Sequence, residues 1–275
     1  MSRVVRTLPP GEVATLVGWA AAEGWNPGIA DAEAFRAADR DGFLGAFVDG
    51  EMVAGISAVA YGADFGFIGL YICRPDMRGR GHGKAVWDAG MARLGGRTIG
   101  LDGVPEQQAN YASMGFVRAY ETVRMSGVPA PASADGVTPV SVEMLPEIAA
   151  FDRRCFPRPR DEFLSVWLAS PRVALALIED GRVRGYGVLR RCVEGHKVGP
   201  LFAETTEAAG QLLSALAGHA DGPVQIDVPA SQDAFIAILG DAGLLPGFST
   251  ARMYRGTPPR IDPSAVFGIT SLELG

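Results

Sequence analysis

Apolar positions along this chain alternate between two periods. Val4 to Leu8 is a short strand-like run, and Pro9, Pro10 and Gly11 turn it into a stretch where Val13, Leu16, Val17, Ala20 and Ala21 recur at helical spacing. Phe43 to Val48 and Met52 to Val59 are strand-length runs around Asp49 and Gly50, a pair that predicts a tight hairpin. Phe65, Phe67, Ile68, Leu70, Tyr71 and Ile72 form another strand, which Pro75 stops because it lacks a backbone donor. Beyond Gly83 the period lengthens, and Val86, Trp87, Gly90, Met91 and Leu94 predict a helix. Thr98 to Leu101 is then a strand ending at Asp102 and Gly103, and Phe116 to Tyr120 and Thr122 to Met125 complete a sheet.

The second half repeats the first. Residues 128–136, rich in proline and small residues, read as a linker between a domain at 1–127 and a domain at 137–275. Val140 to Leu145, with a helix through Ile148 and Phe151, echoes the opening strand and helix. Asp180 and Gly181, between Val173–Ile178 and Val183–Leu189, echo the first hairpin. Val224 to Asp227 echoes the strand into Asp102, and Arg252 and Met253 echo Arg124 and Met125. Matches in one order across both halves predict a duplicated fold.

Composition narrows the chemistry. A length of 275 residues with 48% hydrophobic content supports two domains with cores. The net charge of -6 argues against nucleic acid as a partner, since phosphate neutralisation needs a basic face. No apolar run approaches the ~20 residues of a membrane helix, and no export signal follows the N-terminal arginines, so neither membrane nor export is expected. Cys73, Cys155 and Cys192 lack metal-ligand spacing and fit reduced thiols in a cytoplasm; no metal is expected.

Against that acidic background, the segment Leu70 to Lys84 is basic. Arg74, Arg78, Arg80 and Lys84 crowd it, with Asp76 as the lone acid in the segment, and Gly79, Gly81 and Gly83 stand at a predicted helix start. Successive side-chain-free amides at the positive end of a helix dipole make a concave anion site for phosphate or pyrophosphate. The nucleotide-triphosphate loop does not fit, because Ala85 follows Lys84 where a magnesium-binding hydroxyl is required. The dinucleotide fingerprint fails as well, with Lys84 or Val86 in its last glycine position.

Arg78-x-x-Gly81-x-Gly83, after a strand ending Leu70-x-Ile72, resembles the coenzyme A loop of the GNAT N-acetyltransferases. Downstream, Gln107, Asn110, Tyr111, Gly115 and Phe116 reproduce the Asn-Tyr-x-x-x-Gly-Phe segment of that superfamily. The chain as a whole resembles bacterial tandem-GNAT proteins with an active N-terminal domain and a degenerate second one. The second half lacks an Arg-x-x-Gly-x-Gly loop, carries Glu204 and Glu207 where phosphates would sit, and has no tyrosine matching Tyr111.

The resemblance implies an α/β (α+β) fold of two GNAT-like domains, each a mixed, mostly antiparallel sheet flanked by helices. It implies acetyl-CoA as co-substrate and a small-molecule amine as acceptor, with the second domain walling the acceptor cleft. The backbone of Leu70, Tyr71 and Ile72 would orient the thioester. Arg78, Gly79, Arg80, Gly81, His82, Gly83 and Lys84 would surround the pyrophosphate, with Asn110 and Tyr111 alongside; His82 occupies a slot that varies in the family. Tyr111 would protonate the leaving thiolate, or else it is a helix aromatic packing under the loop.

By pattern alone, Glu23 to Gly28, with Trp25 and Asn26, is either a shaped loop or a plain helix connection. The resemblance makes it the acceptor border, with Trp25 and Asn26 toward the substrate. Many relatives carry a glutamate four residues before the position of Leu70, where this chain has Gly66. Asp64, Glu23, Asp102 or a water remain as bases, and an already neutral amine would need none. Asp102 before Gly103 is also ordinary turn chemistry. A coenzyme A-binding sensor without turnover is the alternative from another class.

Overall fold

The computed structural model describes residues 3–133 and 135–275, so Ala134 of the expected linker lies outside the described residues. Strand β1 (Arg3–Thr7) leads into helix α1 (Pro10–Ala22), which starts at proline because the first helical N–H needs no intrahelical acceptor. Helix α2 (Asp31–Ala38) follows a loop. Strands β2 (Phe43–Val48) and β3 (Glu51–Tyr61) form the expected hairpin, with Asp49 and Gly50 at φ 50° and 87°. Then come β4 (Phe65–Cys73), α3 (His82–Arg93), β5 (Thr98–Gly103), α4 (Pro105–Ser113) and β6 (Val117–Gly127).

The second half runs β7 (Val137–Pro139), α5 (Leu145–Cys155), α6 (Asp161–Trp167), β8 (Val173–Glu179), β9 (Arg182–Arg191) and β10 (His196–Ala203). It ends with α7 (Thr206–Ala217), β11 (Val224–Pro229), α8 (Asp233–Asp241), β12 (Leu245–Arg255) and β13 (Val266–Gly268). Two expected elements differ. Phe116–Tyr120 and Thr122–Met125 are one strand, because β12 pairs with β6 on both sides of Glu121, while β11 joins it from Thr122 onward. The strand expected at Val140–Leu145 lies earlier, at β7; Val142–Met144 is a 3₁₀ turn and Leu145 already opens α5.

All thirteen strands of the described residues join one mixed, mostly antiparallel sheet, in the order β1-β2-β3-β4-β5-β12-β6-β11-β10-β9-β8-β7, with β13 on β10. The two halves trade their last long strands. β12 of the second half lies against β5 of the first, and β6 of the first lies against β11 of the second. Each traded strand is clasped by a buried ion pair at equivalent register. Arg252 donates to Asp102 at 2.7 and 2.9 Å, and Arg124 donates to Asp227 at 2.8 and 2.9 Å.

Helices cover both faces. One face carries a core shared by the halves, in which Phe35 of α2 stacks on Trp167 of α6 with centroids 6.0 Å apart. The other face carries two separate cores, one with Val86 and Trp87 of α3 and one with Leu212 and Leu216 of α7.

Candidate active site

The site begins where β4 and β5 part. They pair in parallel from Phe65–Thr98 to Ile68–Leu101 and no further, while β4 stays on β3 out to Cys73. The β5-facing edge of Gly69 to Cys73 is therefore left without a ladder partner. Leu70 lies just past the separation at φ 44°, beside a register shift against β3, a conformation that bulky residues adopt only under constraint.

After β4, a 3₁₀ turn at Pro75–Met77 leads to α3. Gly81 is its N-cap, at φ 78° and with no side-chain cap, so the first-turn amides of the helix have no intrahelical acceptor. Gly83 sits under Tyr71, where a Cβ would come within 3.0 Å of the phenol oxygen. Loop and helix thus leave a bare amide surface of the kind that binds anions.

The positive charge of this loop is more balanced than its own sequence implies. Asp76 is not its lone acid: Arg74 pairs with both Asp76 and Glu51, Lys84 pairs with Asp88 at 2.6 Å, and Arg78 pairs with Glu23. These acids come from β3, α3 itself and the end of α1. Arg80 has no carboxylate partner among the described residues and lies 3.6 Å from the Met77 sulfur.

Beside the parted strands lies a cleft of about 780 Å³. β4 contributes Leu70, Tyr71, Ile72 and Cys73, and α4 contributes Glu106, Gln107, Asn110 and Tyr111. Glu23, Gly24 and Trp25 close one side. The remaining wall comes from the strand exchange and the C-terminal segment: Arg124, Phe248, Thr250, Leu272 and Glu273. Tyr111 is stacked on Trp87 at 5.6 Å, and burial pushes its phenol up to about 12. Burial likewise raises Tyr71.

Two expected site residues are committed elsewhere. Asn26, at φ 52°, donates to the Glu194 carbonyl at 2.8 Å and accepts from the Glu194 amide at 2.8 Å, so its side chain ties its loop to the turn after β9 instead of lining the cleft. Asp102 borders the cleft, but Arg252 holds both of its oxygens. Asp64, at the far end of β4, pairs with Arg158. Glu23 borders the cleft in its ion pair with Arg78.

The second half braces this site from behind. Lys197 of β10 donates to the Trp25 carbonyl at 2.9 Å; burial lowers its ammonium, and Arg124 nearby adds to that. Burial alone would raise Asp227, but Arg124 holds its carboxyl below the usual range.

The corresponding gap in the second half is closed. β10 and β11 pair in parallel only from His196–Val224 to Val198–Ile226, and β13 then lies on β10 at Leu201 and Phe202. The Ile269 amide continues the plug onto the Asp227 carbonyl of β11 at 3.0 Å. Thr205 caps α7 by accepting from the Ala208 amide at 3.1 Å, and Glu204 beside it is held by Arg154 and Arg184.

Sequence reasoning did not find Arg124, Phe248, Thr250, Leu272 or Glu273 as site residues. The echo of Arg124 in Arg252 was visible, but it signals a repeat, and only the exchange turns it into a cleft wall.

Comparison with known proteins matches residues 13–119 to the acetyltransferase (GNAT) family and residues 148–268 to an acetyltransferase (GNAT) domain. The chain is 36% identical over 265 residues to a holothin acyltransferase of Pseudoalteromonas sp. (strain SANK 73390), covering 94% of this chain and 89% of that one. A Pyrococcus horikoshii structure, described provisionally as an acetyltransferase, superposes with a TM-score of 0.84 at 22% identity, covering 99% of this chain and 96% of that one. A tandem GNAT protein from the clavulanic acid biosynthesis pathway superposes at 0.63 and 16% identity, covering 94% of this chain and 100% of that one.

Proposed function

Because the chain belongs to the GNAT acetyltransferase family, we propose that it transfers an acyl group, acetyl in the first instance, from acyl-coenzyme A to the amine of a small molecule. One juxtaposition carries this reading. The unpaired edge of β4 at Leu70 shares a cleft with Tyr111, and the uncapped start of α3 stands at the end of the same strand.

The coenzyme fits that arrangement. The bare amides of Gly81 to Lys84 suit a pyrophosphate, with Arg80 and Arg78 beside them once Arg78 exchanges Glu23 for phosphate. The unpaired backbone of Leu70 to Ile72 offers hydrogen bonds to the pantetheine arm and to the thioester oxygen, where negative charge develops during attack. Acyl-coenzyme A supplies the activated carbonyl and a thiolate leaving group.

Tyr111 is neutral across the working pH range, because burial keeps its proton on. A phenol near 12 is a weaker acid than a thiol near ~8.5, so it releases its proton to sulfur only in concert with gaining another. Its role is a hydrogen bond to the departing sulfur and a proton relay.

A cleft of about 780 Å³ with Trp25, Phe248 and Leu272 on its walls suits a compact acceptor with an apolar body. The similarity to a holothin acyltransferase makes holothin the first acceptor to try. In this reading only the first half binds coenzyme, and the second half shapes the acceptor side. The test is release of free thiol from acetyl-CoA in the presence of holothin and a panel of small amines. Acceptor-dependent thiol release is the expected result. Coenzyme binding without turnover on any amine would mark a coenzyme sensor instead.

A further inference from the structure

The C-terminal segment does two things in succession. Val266 to Ile269 fills the parted strands of the second half, and Ser271 to Gly275 then crosses to the first half and packs on β4. The crossing is fixed by the backbone. The Ser57 hydroxyl donates to the Glu273 carbonyl at 3.3 Å, the Tyr61 phenol donates to the Leu274 carbonyl at 3.1 Å, and the Ser271 hydroxyl accepts from the Leu274 amide at 3.2 Å. Gly69 is the floor beneath it, since a Cβ there would lie 2.2 Å from the Glu273 carbonyl oxygen. Glu273 is thereby set against the residue next to Leu70, and it lines the cleft that holds Tyr111.

Its carboxylate is 5% exposed as a residue and has no hydrogen bond or ion pair among the described residues. The charged groups facing it are committed elsewhere. Asp102 on β5 is bound by Arg252 of β12, and Arg124 on β6 is bound to Asp227 of β11. Arg190 on β9 is bound to Asp31 of α2, and Lys197 on β10 donates to the Trp25 carbonyl. Cys192, just after β9, is buried, and its sulfur lies 3.9 Å from the Arg190 carbonyl. Across the cleft, Glu23 pairs with Arg78, and Glu106, Tyr71, Cys73 and Tyr111 complete the titratable lining. A carboxylate on a 5% exposed residue that lines a cleft, with no partner among the described residues, is free to take a cationic one.

A glutamate at Gly66, where many relatives have one, would have to displace a buried leucine. A Cβ there would meet the Leu94 side chain at 2.7 Å, in the core under α3.

We propose that Glu273 is the general base of the first-half site, taking a proton from the ammonium of the acceptor. This rests on the acyl-transfer reading. One ammonium proton passes to the Glu273 carboxylate and out to water. The freed lone pair forms the C–N bond, and the carbonyl electrons move onto oxygen, then return to re-form the C=O bond of the amide and so expel sulfur. As the C–S bond breaks, sulfur leaves with the bonding pair and takes the Tyr111 proton, which the second nitrogen proton replaces. Nitrogen loses two protons, sulfur gains one, and one is released.

The test compares parent and Glu273→Gln full-length protein, with kcat/KM measured against pH for an alkylamine acceptor, alongside acetyl-CoA affinity by calorimetry. The variant should lose roughly 100-fold at pH 7 with coenzyme affinity unchanged. The deficit should shrink by about tenfold per pH unit as the amine sheds its own proton. An arylamine, already neutral at pH 7, should lose less than about threefold. Glu273→Asp keeps the charge with a shorter reach and should fall between parent and Gln; it serves as the second variant if Gln loosens the segment. Activity within about threefold of the parent for both variants, or a loss equal at every pH and for both amines, overturns the role of Glu273 and leaves acyl transfer standing. No turnover in the parent with any amine overturns both.

Discussion

At the scale of single residues, the cleft separates groups that are free to react from groups that hold the fold. Tyr111 is both packed and placed, stacked on Trp87 and lining the cleft. Tyr111→Phe keeps the stacking, so turnover should fall by about 100-fold, the low end for a positioned acid, with acetyl-CoA affinity nearly unchanged. Steady-state rates with coenzyme titration check this, and turnover within a factor of about two of the parent would make Tyr111 a packing residue. Asp102 and Asp227 belong to the fold. Removing one partner of a buried pair leaves the other charge uncompensated, so Asp227→Asn should cost roughly 3–5 kcal/mol at pH 7, read by urea unfolding. The sign with pH follows from the lowered carboxyl of Asp227. A carboxyl lower in the folded state than in the unfolded state contributes in full above the unfolded value, about 4, and loses that contribution as pH falls further. The parent should therefore lose stability more steeply than Asp227→Asn below pH ~4.

At the scale of elements, the β4–α3 unit shows how few residues build an anion site. Pro75 ends the strand, Gly81 takes the left-handed backbone that opens the helix, and Gly83 lets Tyr71 close over the first turn. Gly81→Val adds a β-branched side chain at φ 78°, which is strained there and covers the amides. Acetyl-CoA affinity should fall at least tenfold, while the melting temperature drops by only a few degrees because the loop lies outside the core. Calorimetry and thermal unfolding on the same sample separate the two effects, and unchanged affinity would move the pyrophosphate elsewhere. The equivalent β10–α7 unit in the second half has lost each of these features. Its helix is capped by Thr205, its strand gap is filled by β13, and its acid Glu204 is tied to two arginines.

At the scale of the whole molecule, the traded strands make the two halves interdependent. Residues 1–127 alone would leave β5 and β6 without β12 between them, and the remainder would leave β11 and β12 without β6. Neither piece should fold as a monomer, whereas the two co-expressed should assemble into a complex of native size by gel filtration. A cleanly folded, monomeric 1–127 fragment would refute this. On the intact chain, calorimetry should report one acetyl-CoA per molecule; a second binding event would show that the plug at β13 yields to ligand.

Much of this molecule is determined by runs of neighbouring residues. The two Asp-Gly hairpins, with Asp49 and Asp180 both at positive φ, the strand–loop–helix at Leu70 to Lys84, and the duplication itself all rest on local backbone preference and period, which contiguous sequence encodes. Tertiary structure alone decided which distant side chains meet. Asp102, legible as a strand-end acid, became a clasp because Arg252 arrives from 150 positions away. Glu23 was readable as a base and is paired with Arg78; Asn26 was readable as a substrate contact and holds the Glu194 turn. Glu273 carried no motif at all. Its place depends on β13 occupying one gap so that the segment after it can reach the other, and such long-range register arises from packing of the whole sheet, which no local pattern contains.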